Sequence, residues 1–271
     1  MPELPEVETV KRQLNTRLAG KRVVDVEVIH SGRERPKGDA FIEGVKSRKI
    51  IAVKRRAKLL IFYFLDGGVM VAHLKMTGKF LFADRGYQPQ KHDHIVFTLD
   101  DGGLMIWSDV RKFGFVALLT DEELEEELSE YGPEPLENET GILADALSKK
   151  STRTIKSVLL DQSVIAGVGN IYADEALFRA KVHPSVRANT LTDVQRLLLA
   201  KEIQNVLAES VEQKGTSAHD YVDTYNERGG FLSLLRVYGR TGEKCKRCKT
   251  AIQKITQAGR GTHFCPKCQT E

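Results

Sequence analysis

KLLIFYFLDGGVMVAHL, residues 58–74, decides how the first half of this chain folds. Two runs of aliphatic, aromatic and β-branched residues stand on either side of Asp66-Gly67-Gly68. Runs of that length and composition read as strands, and an Asp-Gly-Gly break reads as a hairpin turn. The pattern repeats downstream, where IVFTL and LMIWS flank Asp100-Asp101-Gly102-Gly103. VVDVEVI at 23–29, KIIAV at 49–53 and FGFVALL at 113–119 supply three more short strands. Short strands with tight turns predict an antiparallel β-sandwich.

Helical spacing brackets this block. Leu4, Val7, Val10, Leu14 and Leu18 recur on one face, and Ala19-Gly20 supplies a stop. Pro2 and Pro5 suit a first turn, and Glu3, Glu6 and Glu8 complement the positive end of the helix dipole. After Gly132, Pro133 and Pro135 the period becomes helical again, in ILADAL, IKSVLL, IYADEALFRA and the run from Asp193 to Lys214. The expected fold is therefore α+β and multidomain. A sandwich domain with flanking helices covers 1–131, a linker 132–139, a helical domain 140–235 and a cysteine-bearing hairpin 236–271.

The chain has 271 residues and a net charge of only +4, but its charges are blocked. Seven bases and no acid lie between Val45 and Leu65; ten acids and no base lie between Asp121 and Glu139. Such blocks fit a polyanion footprint with an acidic region held off it, or solvated faces. There is no leader pattern and no apolar run of membrane length, so the expected location is cytoplasmic.

All four cysteines lie in Cys245-x2-Cys248-x16-Cys265-x2-Cys268, the spacing of a zinc ribbon. Four thiolates close a tetrahedral shell and leave no position for water, so one zinc ion is expected to fold the hairpin and not to catalyse. That hairpin carries AGRGTHF at 258–264, with Arg260 between two glycines. AGVGN at 166–170 could cradle a phosphate before a helix or be a plain helix–helix turn. It lacks the features of a nucleotide-cofactor loop, and none is expected.

Together these stretches resemble the formamidopyrimidine-DNA glycosylase family, in its bacterial branch acting on oxidised guanine. The resemblance is carried by PELPEVETV (2–10), RRAKLLIF (55–62), HLKMTG (73–78), KHDH (91–94), DVRKFG (109–114), GVGNIYADEALF (167–178), VYGRTGEKC (237–245) and AGRGTHFCPKC (258–268). These run in family order over nearly the whole chain. The resemblance implies a sandwich and a helix–two-turn–helix domain with a zinc finger, disposed around a DNA cleft. It implies a monomeric base-excision-repair enzyme, nucleoid-associated in bacteria, whose partner is damaged double-stranded DNA. It would remove 8-oxoguanine and formamidopyrimidines and then cleave the strand by β,δ-elimination.

Residue by residue, the resemblance makes Pro2, freed of Met1, the amine nucleophile. An α-amino group of pKa about 8 keeps a useful neutral fraction and can form an iminium ion with the sugar. Glu3 is implied to transfer protons, Lys58 to contact the damaged nucleoside and assist elimination, and Glu6 to support the site. His92, Arg111, Asn170 and Arg260 are implied backbone contacts, Arg260 acting also in the second elimination. Met76, Arg111 and Phe113 would fill the gap left by the extruded nucleotide. His73, Tyr238 and Lys254 complete the DNA-binding set. KKSTRTIK at 149–156 departs from the family's longer basic run, leaving Thr152 or Arg153 as the phosphate contact. The stretch 216–233 resembles the variable loop over the flipped base and is expected to be mobile. Two other readings stay open: a zinc-ribbon protein that only binds nucleic acid, and an endonuclease VIII-type enzyme for oxidised pyrimidines.

Overall fold

The computed structural model describes residues 1–148, 151–218 and 220–270. The chain forms two compact units, Met1–Ser129 with Gln213–Gly230, and Glu130–Glu212 with Phe231–Glu271.

In the first unit, helix α1 (Leu4–Leu18) precedes β1 (Val23–Val28), β2 (Glu34–Arg35), α2 (Asp39–Val45), β3 (Ile50–Arg56), β4 (Leu59–Phe64), β5 (Val69–His73), β6 (Gly78–Ala83), β7 (Asp93–Leu99), β8 (Leu104–Asp109), β9 (Phe115–Leu119) and α3 (Asp121–Ser129). Two sheets form, in the orders β1-β7-β8-β6 and β2-β9-β5-β4-β3. The opening stretch is the β4–β5 hairpin, with Tyr63 opposite Val69. Gly67 and Gly68 take φ of +84° and +64°, a region closed to most side chains. The departure from a purely antiparallel sandwich is β2, which pairs in parallel with β9.

The inner faces of the two sheets share one core with α1. Phe62 of one sheet meets Phe80 of the other edge-to-face at 5.4 Å between ring centroids. Val7, Val10, Leu14 and Leu18 of α1 are buried in the same cluster as Trp107, Phe97 and Met70. Burying an apolar side chain of this size contributes about 1.5–3 kcal/mol, so the periodic stripe on α1 fixes which helix face lies inward. β4 is buried almost throughout because its outer face also has a cover. Leu124 of α3 joins Leu59, Ile61, Val69 and Val71 in a second cluster. The acidic run thus begins as a helix on the sheet, which its charge pattern did not announce.

The second unit contains α4 (Thr140–Ser148), α5 (Ile155–Leu160), α6 (Asn170–Arg179), α7 (Asp193–Glu212), two short 3-10 turns and the hairpin β10 (Gln253–Gln257) and β11 (Arg260–Phe264). AGVGN forms the turn into α6. Gly167 sits at φ +83°, and Gln162 ties the turn by accepting from Gly167 N–H and donating to Val168 O, both at 2.9 Å. Among the described residues no helix is long and apolar enough to cross a membrane.

Candidate active site and DNA-binding residues

Three of the candidate catalytic residues sit where the first unit's core meets α1. Pro2 and Glu3 lie at the head of the helix and are buried. Glu6 turns back on the chain, accepting from Glu3 N–H at 2.7 Å with one carboxylate oxygen. Its other oxygen accepts from Thr216 N–H, also at 2.7 Å. An acid in a first helical turn usually faces water; Glu6 is 1% exposed and both its oxygens are engaged. Those bonds fix the backbone immediately after Pro2.

Gly215 makes this contact possible. A Cβ there would stand 2.7 Å from Glu6 Oε1, and its φ is +86°. Gly215→Ala should therefore destabilise the protein by roughly 1–3 kcal/mol and lower base excision with it. An unchanged melting temperature would show that Glu6 can move aside freely.

Lys58 lies immediately before β4, in a tight turn in which Ala57 adopts φ +52°. The turn is held from α1. Glu8 pairs with Arg55 at 3.0 Å, side chains 9% and 3% exposed. Arg55 Nη1 donates to Ala57 O at 2.9 Å. Burial would raise the Glu8 carboxyl, but hydrogen bonds from Lys11, Arg55 and Arg12 outweigh it and hold its pKa below the ordinary value. Glu8, read in the sequence only as a dipole partner, is thus a strut between the helix and the Lys58 turn.

Met76 and the Arg111–Phe113 pair are brought together by a residue the sequence reading passed over. Asp109, fully buried, accepts from Thr77 Oγ1 and Arg111 N–H with one oxygen and from Gly114 N–H with the other. It thereby joins the loop carrying Met76 to the loop carrying Arg111. Phe113 is 54% exposed, and the Arg111 guanidinium lies 5.0 Å from its ring centroid. An aromatic this exposed, with a cation over its ring, adds nothing to the sandwich core. Met76 is half-buried. His73 Nδ1 accepts from Lys75 N–H at 3.0 Å, which leaves the proton on Nε2. Burial, then Lys75 and Lys58, push its pKa down to about 3, so it can offer a phosphate one neutral N–H. His92 is half-buried immediately before β7, its carbonyl held by Asp109 N–H at 3.0 Å.

In the second unit, α6 holds the hairpin. Asn170, its first residue, donates from Nδ2 to Gly261 O at 2.9 Å, so it sits against the Arg260 turn. Lys156, 0% exposed, donates to Asp174 Oδ1 and to Asn170 O. The other oxygen of Asp174 accepts from His263 N–H at 2.8 Å and faces His263 Nδ1 at 3.1 Å. Breaking a buried pair of this kind costs about 3–5 kcal/mol. Glu175, the next residue, accepts from the N–H groups of Arg236, Val237 and Tyr238. Burial pushes the Glu175 carboxyl up, against the pull of those three donors. These two adjacent acids fix the Tyr238 segment and the hairpin to one helix, and neither was singled out from sequence.

Arg260 is exposed at the start of β11. Ala258 and Gly259, between Gln257 and its partner Arg260, both have positive φ, +50° and +69°, which makes the two-residue turn that suits a twisted hairpin. Lys254 is exposed on β10. Arg153 is exposed but pairs with Asp161 at 2.9 Å; Thr152 is exposed beside it. Lys149 and Lys150, part of the same stretch, lie outside the described residues, as does His219 of the 216–233 stretch.

The four cysteine sulfurs all lie within 4.8 Å of one another. Cys245 and Cys268 are 4.0 Å apart and Cys248 and Cys265 3.4 Å. Zinc–sulfur bonds of about 2.3 Å place tetrahedral ligands about 3.8 Å apart, so the set fits one structural zinc ion with no further ligand.

A two-sheet sandwich with a carboxylate-capped first helix, a helical unit and a four-thiolate hairpin defines a zinc-finger protein of the helix–two-turn–helix class. The chain matches the formamidopyrimidine-DNA glycosylase N-terminal domain over residues 1–116, the H2TH domain of the same glycosylase over 131–221 and the zinc finger found in FPG and IleRS over 242–270. It is 42% identical to the formamidopyrimidine-DNA glycosylase of Ligilactobacillus salivarius over 99% of each chain. Among solved structures it resembles a Lactococcus lactis FPG variant in complex with Fapy-dG-containing DNA, with a TM-score of 0.93 and 38% identity over the full length of both. A second likeness is MutM in complex with DNA containing carbocyclic 8-oxo-G, with a TM-score of 0.92 and 38% identity, again over both full lengths. The chain belongs to the formamidopyrimidine-DNA glycosylase family.

Proposed function

We propose that this chain is a bifunctional DNA glycosylase and abasic-site lyase of base excision repair, acting on 8-oxoguanine and formamidopyrimidines in duplex DNA. It works as a monomer with no nucleotide cofactor, in the bacterial cytoplasm at the nucleoid. The observation that carries this reading is the buried first turn of α1, where Glu6 pins the Glu3 backbone directly after Pro2.

With Met1 removed, the Pro2 nitrogen attacks C1′ of the damaged nucleotide, and the bond to the base breaks as the base takes up a proton. Glu3 moves the proton that opens the sugar ring. The resulting iminium ion draws electrons from C2′, and loss of the 3′ phosphate, then the 5′ phosphate, completes β,δ-elimination. Lys58 assists these eliminations and Arg260 the second. Zinc, when bound, supplies the fold of the hairpin and no chemistry. His73, His92, Arg153, Asn170, Tyr238 and Lys254 contact the DNA, largely at phosphates, which position the duplex without reading sequence.

Arg111 and Phe113, with Met76, occupy the gap left by base extrusion, compensating a cost of a few kcal/mol. The Arg111 guanidinium can donate to O2 and N3 of the orphaned cytosine; adenine offers N1 but also an amino donor. The test is excision from duplexes carrying 8-oxoguanine opposite C and, separately, opposite A, with an oxidised pyrimidine as a third substrate. Cleavage favouring C is expected, and Arg111→Ala should narrow that preference besides weakening binding. Preference for the oxidised pyrimidine would move the chain to the endonuclease VIII type, and binding without any cleavage would reduce it to a nucleic-acid-binding protein.

A further inference from the structure

The stretch expected to be a mobile loop packs on α1 at two points. The first is Glu6, with Thr216 N–H on its carboxylate and Tyr221 Oη donating to its carbonyl. The second is Gln13, seven residues on, about 10.5 Å further along the same helix face. Gln13 Nε2 donates to Asp223 Oδ2 at 2.7 Å. Its Oε1 accepts from Thr224 Oγ1 at 2.8 Å and Thr224 N–H at 3.1 Å. Asp223 and Thr224 are 1% and 2% exposed, although Gln13 lies on the half-open side of the helix.

Asp223 organises the turn it begins. Its Oδ1 accepts from the N–H groups of Tyr225 and Glu227, both at 2.9 Å, and its own N–H donates to Glu227 O at 2.9 Å. Asn226 closes the turn at φ +63°. Only Oδ2 is left for an outside donor, and the outside donor is Gln13. The side-chain amide donates to that oxygen from Nε2 and accepts from Thr224 at Oε1, using both of its ends at once. The turn is bonded within itself, and β6 also holds it, Phe82 N–H donating to Thr224 O at 3.4 Å; on α1, whose first residues carry the proposed nucleophile, Gln13 is what fixes the Asp223–Thr224 end of the turn.

We propose that Gln13 is a positioning residue for the turn 221–227, setting the segment over the extruded base in register with the catalytic end of α1. This rests on the glycosylase reading above. Gln13 touches neither DNA nor the reacting atoms. It matters when a damaged base must be held for excision and not when the base is already gone.

The test compares single-turnover excision of 8-oxoguanine opposite C with cleavage of a duplex containing a preformed abasic site. Gln13→Glu sets a second carboxylate against Asp223. It should lower excision about tenfold or more, as displacement of a positioning element does, and leave abasic cleavage within about twofold of wild type. Asp223→Asn combined with Gln13→Glu reverses the direction of the one bond. The asparagine amide then donates, Thr224 still finds an acceptor, and Asn Oδ1 keeps the turn's two N–H groups. The double variant should recover excision. An unchanged ratio of the two activities in Gln13→Glu overturns the proposal, as does a parallel loss of both or a double variant no better than the single. A wild-type protein that excises no oxidised purine sinks the glycosylase reading and this inference with it; wild-type excision with an indifferent Gln13→Glu sinks this inference alone.

Discussion

Protein that retains Met1, or carries an N-terminal tag, forms no covalent adduct with damaged DNA under borohydride and excises no base, while the mature protein does both. The expected loss is about a thousandfold or more, the scale seen when a covalent nucleophile is removed. The proline nitrogen behind Met1 is a tertiary amide whose lone pair is delocalised into the carbonyl, so it cannot add to C1′. Freed, it is a secondary amine of pKa near 8. Borohydride reduces an iminium ion to a stable amine but leaves a non-covalent complex unchanged, so trapping reports the bond itself. Glu3→Gln separates the partners: DNA binding persists, and excision falls because proton transfer is lost while the amine remains. Lys58 is the competing amine, 7% exposed in the turn before β4, and a desolvated lysine can act as a nucleophile. Peptide mapping of the trapped adduct decides. A crosslink on Lys58 with none on the terminus would return PELPEVE to the status of a helix start.

The tandem strands, the apolar stripe of α1 and the cysteine spacing were legible in the sequence because each is a local, periodic signal. β6 (Gly78–Ala83) was not, since its residues alternate weakly and its pairing with β8 is what makes it a strand. α3 was hidden by charge: Leu124, buried, and Leu128, half-buried against the same cluster, anchor a helix whose other residues face solvent. The candidate catalytic residues were reached through family motifs, and their neighbours were not. Asp174 and Glu175 accept from backbone N–H groups 61 to 89 residues along the chain, Asp109 joins two loops 32 residues apart through Thr77, and Gly215 matters only because Glu6 packs against it; no spacing rule announces such contacts. Lys156 would pass for a solvated helix lysine until its partner Asp174 is seen to be fully buried. The placement of 213–230 with the first unit has the same origin, since the bonds of Glu6 and Gln13 reach across roughly two hundred residues of chain.

Zinc should hold the Arg260 hairpin, because metal binding is the largest single contribution to its folding. Without metal the hairpin keeps a handful of contacts. Asp174 holds His263, Gln269 Nε2 donates to Val182 O at 2.9 Å, and Gln257 Nε2 donates to Ser185 Oγ at 2.6 Å. Net hydrogen bonds of this kind contribute about 1 kcal/mol each. The apolar cluster around Val237, Ile252 and the cysteines is small. Binding of a structural zinc ion to four thiolates is worth about 10–16 kcal/mol, and because the site forms only on folding, that is folding free energy for the hairpin. Cys248→Ser should therefore lose zinc, measured as metal per chain, and affinity for duplex DNA should fall about a hundredfold or more. The sandwich should stay folded, because its core shares no residue with the metal cluster; near-ultraviolet circular dichroism of Trp107 reports it. Arg260→Ala keeps the metal and removes one cation, so its loss should be the smaller of the two and should flatten the salt dependence by about one phosphate contact. Metal-free Cys248→Ser protein that binds duplex DNA as tightly as wild type would show that α6 and its acids hold the hairpin unaided.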